Sequence, residues 1–92
     1  MTTVPASKVD ECWTILHMAD AIWHQAYDEG IDVEKTEWSN TYDEANKIDN
    51  YLWQNCGTPC CFFRDTINQA IAREMTYQEY LVTLKTYGIE VI

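Results

Sequence analysis

Positive charge is scarce in this chain: six lysines and arginines face fifteen aspartates and glutamates, for a net charge of −9. A surface so short of cations repels DNA, RNA and anionic lipid, which argues against direct nucleic-acid binding. Long apolar runs are missing too. No stretch approaches the ~18 apolar residues of a membrane span, and the first residues lack a basic stretch followed by an apolar core. A cytoplasmic location is therefore expected. There the four cysteines are thiols or metal ligands rather than a disulfide framework. Internal repeats and low-complexity tracts are absent, and no phosphate loop or nucleophile motif accompanies the acids. An EF-hand over 28–37 fails as well, because the alternating oxygen ligands and central glycine of that loop are missing. The chain is not expected to be an enzyme, and no cofactor is expected.

What is present is apolar periodicity. Of the 92 residues 47% are apolar and 23% charged, the balance of one globular domain over 1–92. Val9, Cys12, Trp13, Leu16, Ala19, Ile22, Trp23, Ala26 and Tyr27 recur at helical spacing and cover about half a helix circumference. They predict a helix over 8–29, with Ser7 and Asp10 as a weak capping box and Gly30 as its left-handed stop. Thr41 and Glu44 cap a second helix over 42–56, ended by Gly57. Thr58 and Pro59 restart the chain for a third over 59–74. Thr76 and Glu79 cap a fourth over 77–87, closed by Gly88. Residues 1–6 are expected to be a disordered lead-in, and a short extended piece is expected at 31–34 or 90–92. The fold class is all-α, a compact four-helix domain. Its core should include Leu16, Ile22, Trp23, Ile48, Leu52, Phe63, Ile67, Leu81 and Leu84. Phe62 points opposite Phe63 and is expected at a homodimer or partner interface.

Three groupings carry possible chemistry. Cys56, Cys60 and Cys61 flank a helix start, where the dipole favours a thiolate. The spacing is not that of a thioredoxin-like site, and small buried cysteines are the plainer reading. His17, Asp20 and His24 share one flank of the first helix and, with a thiol, make a metal-binding alternative; no recognised zinc spacing is present. Asp20 and Asp49 point into apolar stripes, and Asp49 needs a partner such as Arg64 or Arg73.

The strongest functional signal is the distribution of charge. Asp28, Glu29, Asp32, Glu34, Glu37, Asp43, Glu44 and Asp49 fall within 22 residues, against Lys35 and Lys47. Trp38 lies in their midst. An aromatic anchor in an acidic patch suits a basic, partly apolar surface on another protein. Asp28, Glu29, Asp32, Glu34, Glu37, Trp38, Asp43 and Glu44 are thus the expected partner-binding residues. The partner would be a basic protein such as a nucleic-acid-binding protein or nuclease complex. Small acidic one-domain chains without catalytic motifs are similar in type to phage-encoded inhibitors that mimic nucleic acid, including anti-CRISPR and anti-restriction proteins. The alternative is a thiol- or metal-binding module built on Cys56, Cys60, Cys61, His17 and His24.

Overall fold

A computed structural model describes the backbone over 2–29 and 35–92, and the side chains over 2–28 and 40–92. Four helices and two short strands follow in the order β1 Thr2–Val4, α1 Ala6–Glu29, α2 Lys35–Cys56, α3 Phe62–Ala72, α4 Tyr77–Thr86 and β2 Ile89–Val91. The domain is all-α, as its periodicity predicts, with a small sheet added.

Burial follows the stripes. On α1 the buried residues are Val9, Cys12, Leu16 and Ala19, steps of three and four that place them on one face. α2 answers with Ala45, Asp49 and Leu52, α3 with Phe63, Ile67 and Ala70, and α4 with Tyr80 and Leu84. Of the expected core, Leu16, Leu52, Phe63, Ile67 and Leu84 are buried, while Ile48 and Leu81 are half-buried against them. Ile22 is also only half-buried, and Trp23 does not belong to the core at all: it is 54% exposed. The reason is geometric. No residue from Asp20 to Asp28 on α1, and none over 40–44 on α2, is buried. The hairpin of these two helices outruns the layer that α3 and α4 lay against it.

Tyr80 brings a hydroxyl into the core and satisfies it locally. It lies 2.8 Å from Thr66 Oγ1, which itself donates to the Phe62 carbonyl at 2.8 Å. The α4 cap is as the sequence predicts: Thr76 Oγ1 accepts from the Glu79 N–H, and Glu79 Oε1 accepts from the Thr76 N–H. Gly57 and Gly88 adopt positive φ of 75° and 77°, the left-handed stops expected after α2 and α4.

The expected disordered lead-in is a correction. Residues 2–4 pair in parallel with 89–91, Thr2 opposite Ile89 and Val4 opposite Val91. The pairing is extended by Ile92 N–H to Val4 O at 2.9 Å and Ala6 N–H to Ile92 O at 2.7 Å. Three residues are too few for an alternation to be read. Yet Val4 is fully buried and Ile89 nearly so, which closes the bottom of the core. Val4→Ala should therefore cost about 2 kcal/mol, the order found for removing buried methyl groups. Urea denaturation measures it, and a midpoint unchanged from wild type would show the strand to be dispensable.

Candidate functional site

The far end of α1 carries exposed aromatics beside an acid. Trp23 and Tyr27 stand one turn apart on α1, 54% and 79% exposed. Asp28 follows them; Asp43 and Glu44 are exposed on α2 but are not brought to it, since the adjacent Ala45 carbonyl lies against Cys12, sixteen residues before Asp28 on α1. Glu44 holds Lys47 at 3.2 Å, a surface pair of little energetic weight. The side chains of Glu29, Asp32, Glu34, Glu37 and Trp38 lie outside the described residues; the backbones of Glu37 and Trp38 are within α2. Beside this end opens a cleft of ≈ 400 Å³ lined by Leu16, Ala19, Asp20, Trp23, Tyr42 and Asn68. Its walls come from three helices, and Asn68 Nδ2 donates to Tyr42 Oη across it at 3.1 Å. Asp20 supplies an acid, with His24 Nε2 3.5 Å from its Oδ1. Apolar walls beside one carboxylate are suited to an arginine or lysine side chain, whose stem packs while its head pairs.

Asp49 is structural. It is 3% exposed, and its Oδ1 accepts the Phe63 N–H at 3.2 Å, with the Arg64 N–H a second backbone donor. A carboxylate from α2 therefore caps α3, because Cys61 at the N-cap position makes no side-chain cap. Burial pushes the Asp49 carboxyl above its ordinary value, and the backbone hydrogen bonds only partly offset this. Arg64, the expected ion partner, instead binds Asn46 at 3.2 Å and Asp65 at 3.6 Å.

The imidazoles separate. His17 packs against Trp13 at 4.4 Å between ring centroids, its Nε2 buried without a partner, while His24 pairs with Asp20. Among the described residues no three His, Cys, Asp or Glu side chains are grouped to hold a metal ion. No membrane-crossing helix occurs among them either.

The cysteine loop also departs from expectation. α3 begins at Phe62, not 59. Cys56 is half-buried against the core, and Cys60 and Cys61 stand together at the start of α3, their sulfurs 3.4 Å apart. Phe62 is not a free surface ring: it packs edge-on to Phe63 and Tyr87, 5.2 and 5.4 Å between centroids. The turn that aims it away from Phe63 brings it onto the end of α4. Cys12 is sealed in the core, its thiol pushed up to about 12 by burial and, secondarily, by the charge of Asp49. Cys12 is therefore held as the unreactive thiol at pH 8. Alkylation of the native protein at that pH should spare Cys12 in peptide mapping, and unfolding should expose it; prompt native labelling would contradict its burial.

Comparison with known proteins yields no match to a family model, a curated protein or a solved structure.

Proposed function

We propose that this protein is a non-enzymatic binder that occupies a basic surface of a partner protein, of the kind that normally holds nucleic acid, and blocks it. The observation that carries this reading is the cleft beside Trp23 and Asp20 on α1. A net charge of −9 steers such a chain toward cations over a range of about 8–10 Å at physiological salt. Trp23 and Tyr27 then supply apolar area that charge alone does not. An arginine or lysine of the partner enters the cleft, its head on Asp20 and its stem along Trp23 and Tyr42. Asp28, Asp43 and Glu44, all exposed, add long-range attraction to the surrounding basic surface. Inhibitors of the phage-encoded anti-CRISPR or anti-restriction type act in this way, by taking the place of a polyanion.

The test is affinity capture from the source cell, followed by competition with duplex DNA. A captured nucleic-acid-binding protein that DNA displaces, and that Asp20→Asn with Trp23→Ala no longer captures, supports the reading. A partner retained unchanged in excess DNA overturns the blocking role. The metal-binding alternative is not favoured by any grouping of three ligands among the described residues.

A further inference from the structure

Cys60 and Cys61 are adjacent in sequence, lie in the loop before α3, and hold their sulfurs 3.4 Å apart. Cys61 adopts a left-handed conformation, φ 66° and ψ 11°, which non-glycine residues rarely take and which collects at functional positions. Cys60 is exposed and Cys61 half-exposed. From these observations we infer that Cys60 and Cys61 form a vicinal dithiol that chelates a soft trivalent centre of the arsenic type.

Geometry separates this from the other uses of two thiols. A disulfide brings sulfurs to about 2.05 Å and needs α-carbons about 4.4–6.8 Å apart. Neighbouring α-carbons across a trans peptide are only about 3.8 Å apart, and no peptide among the described residues is cis. Closing the pair into a disulfide therefore strains the backbone. A bridging atom does not. With two bonds of about 2.3 Å, sulfurs at this separation subtend about 95°, below the roughly 109° of tetrahedral zinc and far below the straight angle of two-coordinate copper. A right-angled pyramidal centre fits with no movement of either sulfur. Zinc also needs further protein ligands, and no third His, Cys, Asp or Glu joins the pair among the described residues.

The surroundings keep the pair in the thiol form that the reaction consumes. The two thiols share a hydrogen bond that either can donate; it raises the pKa of Cys61, as does burial, while the Arg64 guanidinium acts in the opposite sense. Capture of an organoarsenic(III) oxide forms two S–As bonds and breaks the As–O bonding. The two thiol protons leave with the oxygen as one water, and no electron is transferred.

The probe is phenylarsine oxide, added to protein reduced with a phosphine that is then removed. Intact-mass analysis should show one arsenic per chain, mapped to the peptide containing Cys60 and Cys61. The adduct should survive excess 2-mercaptoethanol and be stripped by 1,2-ethanedithiol. Chelation by two linked thiols exceeds single attachment by about 10²-fold or more, so Cys60→Ser and Cys61→Ser should each lose affinity by at least that factor. Cys56→Ser should retain it. Circular dichroism confirms that each variant is folded, and mapping of the wild-type adduct stands without them. Removal of the adduct by the monothiol, its mapping to Cys56, or its survival in a folded single-serine variant of the pair would each overturn the chelate.

Discussion

Asp49→Ala is expected to destabilise the protein by about 2–3 kcal/mol, whereas Asp49→Asn should match or exceed wild type at pH 7. The alanine removes the acceptor for the Phe63 and Arg64 N–H groups. It loses the cap and leaves buried donors without a partner, penalties of about 0.5–2 and 1–3 kcal/mol that overlap rather than add. Asparagine keeps one oxygen in place for the Phe63 N–H and exchanges the charge and the second oxygen for an amide NH2. Charge is the unfavourable part here, because burial raises the folded-state pKa above the ordinary value of 3.8. The sign follows directly. The folded chain holds that proton more tightly than the unfolded chain, so this contribution to stability is fully present below pH 3.8. It is lost as pH rises through the raised value. The difference between Asp49→Asn and wild type should therefore grow from about pH 4 upward and then level off. Urea denaturation of the three proteins between pH 4 and 7 measures it. Equal losses for asparagine and alanine at pH 7 would mean that Asp49 acts through charge, as an ion partner of Arg64, and not as a cap.

That cap shows which parts of the fold a sequence can carry. Thr76 and Glu79 bind each other within one turn, so their capping box is legible locally. Gly57 and Gly88 act on their own backbone and are equally legible. The start of α3 is different. Thr58-Pro59 resembles a helix start, but the donors of α3 are met by Asp49, fourteen residues upstream on another helix. No local pattern records that. Thr58 is instead buried with its hydroxyl unpaired. The apolar stripe of α1 misled in the opposite direction. It spans about half the helix, more than one packing face uses, and the surplus at Trp23 and Tyr27 is exposed. A stripe wider than its neighbours can cover is the available signal for the exposed aromatics of the proposed binding surface. Val4 left no such trace, because a three-residue strand has no period.

Binding kinetics should divide that surface into two kinds of residue. Neutralising Asp28, Asp43 and Glu44 together is expected to slow association with the partner about tenfold or more at low ionic strength, within the range of electrostatic steering. The deficit should shrink as salt is raised, since exposed charges are screened over about 10 Å at 0.1 M. Glu29, Asp32, Glu34 and Glu37 should add to the same effect. Trp23→Ala and Tyr27→Ala should leave association nearly unchanged and raise the dissociation rate, because buried aromatic area acts after encounter. Each should cost on the order of 1–2 kcal/mol of binding, a roughly five- to thirtyfold faster release, with little dependence on salt. Trp38→Ala belongs to the same class. Stability should be spared in both sets. Asp28, Asp43, Glu44, Trp23 and Tyr27 are exposed, and removing like charges from a surface of net −9 relieves repulsion. A triple acid variant that associates at the wild-type rate in low salt would reduce these acids to a solvated face. Unchanged dissociation in Trp23→Ala and Tyr27→Ala would move the contact elsewhere on the molecule.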